Sequence, residues 1–147
     1  MKELNLPAYA FKLTRTEDQT QIFDEVRKKW VALTPEEWVR QHMLVYLRDQ
    51  LGYPGGLLQV EGQMRLNGMK RRPDIVAYDR TGSPFLLVEC KAPDVALSQK
   101  VLDQATRYNL VLGVPYILIT NGLEHFCIDT SSQGRPQYLH SIPVFPQ

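Results

Sequence analysis

The amino-acid sequence predicts an α/β protein in which helices flank a mixed β-sheet. Two amphipathic segments carry helix signals, one over residues 34–51 and one over 97–112. Short apolar segments rich in β-branched and aromatic residues lie between and after them. The resulting order is helix, strand, hairpin, helix, strand, strand, preceded by an accessory hairpin, and alternation of this kind indicates an α/β fold.

The composition is that of an ordinary globular protein. The 147 residues are 44% hydrophobic and 22% charged, with a formal net charge of +1. A chain of this size buries about 68–70% of its unfolded surface, and it needs no disulfides or structural metal ions to fold. We expect one domain over 1–147, with a core over about 33–130, an accessory segment at 1–32 and a tail at 131–147. The small net charge excludes a bulk nucleic-acid binder, so any such contact must come from local basic patches.

The sequence gives no sign of export or of membrane insertion. It has no secretory signal, and it has no apolar segment approaching about 18 residues. Cys90 and Cys127 lie in apolar, strand-like segments without a CxxC pair, which is typical of reduced cysteines in a cytosolic protein. We therefore expect a cytoplasmic protein that does not bind membranes.

The first elements form an accessory layer. Residues 9–14 and 20–26 alternate partly between apolar and polar side chains across the polar segment 15–19, which predicts a β-hairpin. The apolar residues Trp30, Val31 and Leu33 follow, and we expect them to dock this hairpin onto the main body. We assign no chemistry to this region.

The first helix has a strong start signal. Thr34 has the character of an N-cap, Pro35 suits the first helical position, and Glu37 completes a capping box. A broad apolar face follows, and the sequence Gly52-Tyr-Pro54 ends the helix.

A strand over 57–66 and a basic segment come next. Glu61 lies within the strand, and we favour an orientation toward water over one toward a site. Asn67-Gly68 predicts a turn into Lys70-Arg71-Arg72. That basic segment and a second one, Arg27-Lys28-Lys29, are either nucleic-acid contacts or solvated charge clusters.

The central hairpin carries the candidate chemistry. Its strands are 73–79 and 84–91, joined by the polar turn Arg80-Thr-Gly-Ser83. A loop centred between residues 81 and 82 places Asp74 directly opposite Glu89. Cross-strand partners lie about 5 Å apart, and two carboxylates at that distance repel by about 3 kcal/mol at an effective dielectric near 20. A divalent cation would explain why an apolar hairpin tolerates the pair.

Strand alternation adds a third group to this pair. Glu89 and Lys91 are two residues apart and point to one face, whereas Val88 and Cys90 point to the other. Asp74, Glu89 and Lys91 are therefore predicted to converge. A helix over 97–112 follows, then a nearly continuous apolar strand over 114–120 and a further strand over 123–129.

These residues resemble the PD-(D/E)xK nuclease superfamily, whose motif stands here as Pro73-Asp74 followed by Glu89-Cys90-Lys91. The resemblance implies phosphodiester hydrolysis with Mg²⁺, for which Mn²⁺ could substitute. Asp74, Glu89 and the carbonyl of Cys90 would hold the metal through oxygen ligands. Lys91 would orient the attacking water or stabilise the transition state.

The resemblance becomes narrower when five ordered segments are taken together: 33–41, 72–78, 88–93, 104–109 and 118–122. They are similar to the N-terminal domain of type I restriction enzyme R subunits, which implies a restriction-endonuclease-like fold. The pattern Gln104-x-x-x-Tyr108 resembles a motif that braces the active site and contacts nucleic acid. An acidic residue on the preceding helix often reaches the metal in this superfamily, which gives Glu37 a catalytic alternative to capping.

The function implied is a metal-dependent endonuclease acting on DNA in a restriction-modification system, with Arg71, Arg72, Gln104 and Tyr108 contacting the substrate. We expect a stand-alone relative of the R subunits, because the sequence contains no nucleotide-binding loop. Two alternatives stay open. One is a catalytically silent DNA-binding or scaffold module that works with a restriction or repair partner protein. The other is a homodimeric, structure-specific resolvase.

Overall fold

The computed structural model describes residues 1–61, 72–107, 113–131 and 137–147. Their strands form two sheets, a small N-terminal one and a larger main one. The elements in chain order are β1 (Leu13–Arg15), β2 (Thr20–Asp24), β3 (Lys29–Ala32), α1 (Pro35–Asp49), a 3₁₀ turn (Gly55–Leu57), β4 (Leu58–Val60), β5 (Ile75–Tyr78), β6 (Pro84–Cys90), α2 (Gln99–Thr106), β7 (Tyr116–Thr120), β8 (His125–Asp129) and β9 (Gln137–Leu139).

The main sheet has its strands in the order β4-β5-β6-β7-β8-β9. Strands β6 and β7 are parallel, and each of the other neighbouring pairs is antiparallel. A parallel pair needs a crossover connection, and α2 lies in that connection. The predicted α/β class with a mixed sheet is therefore confirmed.

The two helices cover opposite faces of this sheet. Helix α1 packs Val39, Met43 and Leu47 into the core that contains Leu86, Val88 and Cys90 of β6. Helix α2 packs Leu102 and Ala105 into a second core that contains Leu87 of β6 and Ile119 of β7. Because side chains alternate along a strand, Glu89 leaves β6 on the same side as Leu87.

Helix α1 begins as its sequence predicts. The Oγ1 atom of Thr34 accepts a hydrogen bond from the backbone N–H of Glu37 at 3.0 Å, and Pro35 occupies the first helical position. After the helix ends, Gly52 adopts a φ of 79°, a conformation that favours glycine. Cap and stop signals therefore fix α1 at both ends.

The N-terminal region is larger than the predicted hairpin. Strands β1, β2 and β3 form a three-stranded antiparallel sheet. Trp30 and Val31 belong to β3, a strand that the sequence analysis does not predict. Trp30 is 42% exposed and contacts the ring of Phe23 at 5.3 Å. The contact to α1 instead includes the buried Asp24 of β2, which accepts a hydrogen bond from Gln41 at 2.9 Å.

Other differences concern the ends of elements. Residues 137–139 of the predicted tail form strand β9, which pairs with β8. Parts of the predicted strand 57–66 and helix 97–112 lie outside the described residues. Within the described ranges, no helix has both the length and the apolar character needed to cross a bilayer.

Candidate active site

Asp74 and Glu89 come together because of the register of the central hairpin. Ile75 of β5 pairs with Val88 of β6, so the next position outward sets Asp74 opposite Glu89, as predicted. Nearer the turn Tyr78 pairs with Pro84, and a register shift between Ala77 and Tyr78 then sets the pairing that places Asp74 opposite Glu89. Both carboxyl groups are buried, with Asp74 2% and Glu89 4% exposed.

The two carboxyl groups are close enough to form a hydrogen bond. Burial, followed by that hydrogen bond and the charge of Glu89, raises the pKa of Asp74 to about 8. The guanidinium of Arg40 and the backbone N–H of Cys90 act in the opposite direction, and that N–H donates to Oδ2 of Asp74 at 2.7 Å. Asp74 therefore keeps its proton near neutral pH and shares it with Glu89 through their hydrogen bond.

Helix α1 adds an acidic side chain, Glu36, and a positively charged one, Arg40, to this pair. The Nη2 atom of Arg40 lies 3.4 Å from Oδ1 of Asp74 and 3.6 Å from Oε1 of Glu36. Burial and then the charge of Asp74 raise the pKa of Glu36, with a hydrogen bond to Asp74 as a further cause. Glu36 is thus the acid of α1 that reaches the site.

Glu37 has different partners, which corrects the sequence-based prediction that it reaches the metal site. Its Oε1 accepts from Arg27 at 3.0 Å, and its Oε2 accepts from Gln41 at 3.1 Å and lies 3.4 Å from Nε of Arg40. Successive helical residues are about 100° apart around the axis. Glu36 therefore faces Asp74, whereas Glu37 points into a buried network beside it.

Sequence reasoning missed the role of Arg40. Arg40 is buried, with 7% of the residue exposed. Its guanidinium lies within 4 Å of four carboxylates, those of Glu36, Glu37, Asp74 and Glu61. Its Nε atom has no hydrogen-bond partner in the described part of the chain. The signal available in the sequence was the spacing Glu36-x-x-x-Arg40, which places the two side chains on one helical face.

Two further predicted positions lie at the edge of this cluster. The side chain of Glu61 is 50% exposed, in line with the predicted orientation toward water, but its Oε2 also lies 3.5 Å from Nη1 of Arg40 and so reaches the edge of the site. The backbone N–H of Lys91 donates to the carbonyl of Thr120 at 2.8 Å, which fixes the chain just after β6. The positive charge of Lys91 partly offsets the raised pKa of Glu36, so its ammonium group lies within electrostatic range of that acid.

The predicted DNA contacts have mixed outcomes. Arg72 and Gln104 are exposed, and their roles remain predictions. Arg71 and Tyr108 lie outside the described residues. Arg27 of the second basic segment is ion-paired with Asp24 at 2.7 Å and with Glu37 at 3.0 Å, so its side chain is not a free nucleic-acid contact.

Asp74 and Glu89 offer the type and the number of ligands that suit a magnesium ion. In the part of the chain that the structure describes, no group of three or more His, Cys, Asp or Glu side chains is arranged to hold a metal. Mg²⁺ commonly uses one or two carboxylates and retains several waters. Asp74 and Glu89, with the carbonyl of Cys90, match that smaller requirement. Two buried carboxyls in contact also form a site where a cation would replace the shared proton.

Most of the chain matches one protein family. Residues 35–143 match the family model described as type I restriction enzyme R protein N terminus (HSDR_N), which covers α1, the main sheet and α2. The chain belongs to this family. The match begins at Pro35 and so excludes the three-stranded N-terminal sheet.

A solved structure supports the same architecture. A fragment assigned to the HsdR subunit of a type I restriction enzyme from Vibrio vulnificus YJ016 superposes with a TM-score of 0.54 at 23% sequence identity. The alignment covers 76% of this chain and 24% of that one, so this chain spans about a quarter of the length of the Vibrio fragment. At this identity the likeness concerns the fold. No curated protein matches the chain.

Proposed function

We propose that this restriction-related domain is a metal-dependent nuclease of the PD-(D/E)xK superfamily that hydrolyses phosphodiester bonds in DNA. The observation that carries the proposal is the contact between the carboxyl groups of Asp74 and Glu89, with Lys91 two residues further on. Membership of the type I restriction R protein family supports DNA as the substrate.

Asp74, Glu89 and the backbone carbonyl of Cys90 would hold Mg²⁺, and Mn²⁺ could substitute. When bound, the ion supplies positive charge against the phosphate and lowers the pKa of a water molecule. The protein prepares these ligands in advance. The Cys90 N–H fixes one oxygen of Asp74, and Arg40 lies beside the other.

The remaining groups act on water and phosphate. The ammonium group of Lys91 would orient the attacking water or stabilise the negative charge that grows on the phosphate oxygens. The side chain of Glu36 is 41% exposed and hydrogen-bonds to Asp74, so it can accept a proton at the solvent side of the site. A raised pKa suits that task, since proton acceptors work best near the operating pH.

DNA contacts would come from residues around this end of the sheet. Arg72 is exposed and precedes Asp74 by two residues, so its guanidinium can reach a phosphate next to the bond that is cut. Gln104, Arg71 and Tyr108 complete the proposed contacts, and Gln104 would also brace the catalytic groups. A protein of net charge +1 depends on such local contacts.

A second candidate is a DNA-binding module without turnover. The observation that favours it is the position of Arg40, whose charge already offsets part of the carboxylate charge at Asp74. A site neutralised by its own guanidinium has less need of a metal. The two candidates make different predictions for metal binding and for cleavage.

The test uses labelled single-stranded, duplex and branched DNA incubated with the purified protein, with and without Mg²⁺. We expect Mg²⁺-dependent cleavage that Lys91→Ala abolishes while circular dichroism shows an intact fold. The matched control is Lys12→Ala, which removes an exposed lysine of the N-terminal region. Equal cleavage by Lys91→Ala would contradict the nuclease proposal. DNA binding without Mg²⁺ binding in calorimetry would favour the silent module.

A further inference from the structure

A continuous series of buried charged groups joins the N-terminal sheet to the candidate site. Nε of Arg27 lies 2.7 Å from Oδ2 of Asp24, and Nη2 of Arg27 lies 3.0 Å from Oε1 of Glu37. Oε2 of Glu37 lies 3.4 Å from Nε of Arg40, and Nη2 of Arg40 lies 3.4 Å from Oδ1 of Asp74. All five side chains are at most 9% exposed.

The first half of this series is rigidly held. Oδ1 of Asp24 accepts the backbone N–H groups of Val26 and Arg27, each at 2.8 Å, which fixes the turn that carries Arg27. The side-chain amide of Gln41 donates to both Asp24 and Glu37, at 2.9 and 3.1 Å. Arg27 and Gln41 therefore fix the carboxylate of Glu37 from two sides.

The second half is more loosely held. The ion pairs of Arg40 measure 3.4 to 3.6 Å, longer than the 2.7 and 3.0 Å of Arg27. Its guanidinium is shared among several carboxylates and has no single tight partner. Its position thus depends on how strongly each carboxylate attracts it, and Arg27 reduces the attraction that Glu37 exerts by sharing its charge.

We infer that Arg27 is a positioning residue for the candidate active site: through Glu37 it sets the guanidinium of Arg40 against Asp74. This inference rests on the proposed function for its catalytic consequence, although the positioning itself does not depend on it. Without Arg27, Glu37 would attract Arg40 more strongly, and the guanidinium would move away from Asp74. The orientation of the Asp74 carboxylate would then be less well fixed.

This role belongs to a part of the chain that the family match does not include. Residues 35–143 match the family, whereas Asp24 and Arg27 come from β2 and the turn after it. The N-terminal sheet therefore supports the candidate site from outside the shared domain. Within the basic segment Arg27-Lys28-Lys29, the buried guanidinium of Arg27 is the group that joins this series.

The first test reads the position of Asp74 without metal, DNA or activity. The backbone N–H of Cys90 donates to Asp74, so its NMR chemical shift reports that carboxylate. We expect Arg27→Gln to move the Cys90 amide resonance, and Arg27→Lys to restore it in part, because lysine keeps the charge but loses the planar fork. The control is Ile22→Val in the same strand as Asp24, a fully buried apolar position whose side chain forms no ion pair.

The second test measures Mg²⁺-dependent cleavage by the same variants. We expect Arg27→Gln to change the half-saturating Mg²⁺ concentration by about tenfold, the low end of the effect of removing a direct partner of a metal ligand, because Arg27 acts on Asp74 only through Glu37 and Arg40. Ile22→Val should leave the half-saturating Mg²⁺ concentration unchanged, even where it lowers the melting temperature as much as Arg27→Gln does. If Arg27→Gln does not fold because Asp24 is left unpaired, the double variant Asp24→Asn/Arg27→Gln removes both charges and should give the same two effects.

The outcomes separate the two proposals. If the wild type does not cleave DNA but the Cys90 resonance moves in Arg27→Gln, the nuclease proposal is wrong and the positioning role stands. If the wild type cleaves DNA and Arg27→Gln changes neither the Cys90 resonance nor the Mg²⁺ dependence more than Ile22→Val does, the positioning role is overturned.

Discussion

The guanidinium of Arg40 on α1 lies 3.4 Å from the carboxylate of Asp74 at the start of β5. This ion pair joins the helical layer to the sheet at the point where Asp74 and Glu89 meet. The buried guanidinium therefore stabilises a pair of acids that the sheet alone would force together.

Replacing Arg40 should be costly for folding. Arg40→Met leaves the carboxylate of Glu37 buried with one counter-charge fewer, and loss of one partner of a buried pair typically costs about 3–5 kcal/mol. The measurement is urea unfolding at pH 7. Arg48→Met is the matched control, since Arg48 pairs with Glu25 at 2.7 Å where both side chains are partly exposed. That control should cost less than about 1 kcal/mol, and equal losses would contradict a structural role for Arg40.

Stability should fall as the pH rises toward 8. The pKa of Asp74 is about 8 in the folded protein, against an ordinary value of 3.8. The stability from its protonated form is fully present below the ordinary value and is lost as the pH rises through the folded value. His42, whose pKa burial lowers, acts in the opposite direction only below about 6.5.

The free energy of unfolding without divalent ions should therefore fall by about 2 kcal/mol between pH 6.5 and 8, since each pH unit corresponds to about 1.4 kcal/mol. Asp74→Asn should remove most of this fall in the free energy of unfolding between pH 6.5 and 8. A wild-type protein with constant stability over the same range would show that Asp74 is already ionised.

Magnesium binding should release a proton. At pH 7 the pair Asp74 and Glu89 holds a proton, because the pKa of Asp74 is about 8. A cation on these oxygens would displace it, so the affinity should rise with pH up to that value. Calorimetry in two buffers of different ionisation enthalpy measures the release. Asp79→Asn, in the exposed turn of the same hairpin, should behave as the wild type does. Binding with no dependence on the buffer would contradict the shared proton.

The two neighbouring acids of α1 should give opposite phenotypes. Glu36→Gln changes a side chain that is 41% exposed, so stability should be nearly unchanged while the cleavage rate falls by about a hundredfold, the order of general acid–base catalysis. Glu37→Gln should lower the melting temperature, because it breaks two buried ion pairs. The reverse pattern would restore Glu37 as the catalytic acid.

Much of the candidate site follows from local patterns. The sequence predicts the opposition of Asp74 and Glu89 from a turn centred between residues 81 and 82. The structure reaches the same opposition through a register shift between Ala77 and Tyr78, which the sequence does not indicate. The start of α1 follows from Thr34 and Pro35. The choice between Glu36 and Glu37 does not follow, because it depends on how the helix is rotated against the sheet. Packing of Val39, Met43 and Leu47 sets that rotation.

The role of Arg27 could not be predicted from the sequence for a similar reason. A run of Arg and Lys has the same appearance in a solvated patch and beside buried acids. Its partner Glu37 is ten residues away, on an element whose orientation is known only from tertiary structure. The sequence does not predict strand β3 because Lys29-Trp-Val-Ala32 is only four residues long and its first two residues are exposed.

The central claim is that Asp74 and Glu89 act together on one metal ion. Single-turnover cleavage of labelled DNA by the wild type, Asp74→Asn and Glu89→Gln in Mg²⁺ tests it most directly. We predict cleavage by the wild type and a loss of more than about a thousandfold in each variant, as expected when a catalytic metal loses a ligand, with the fold retained. Cleavage by Glu89→Gln at the wild-type rate, or no cleavage by the wild type on any substrate, would contradict the claim.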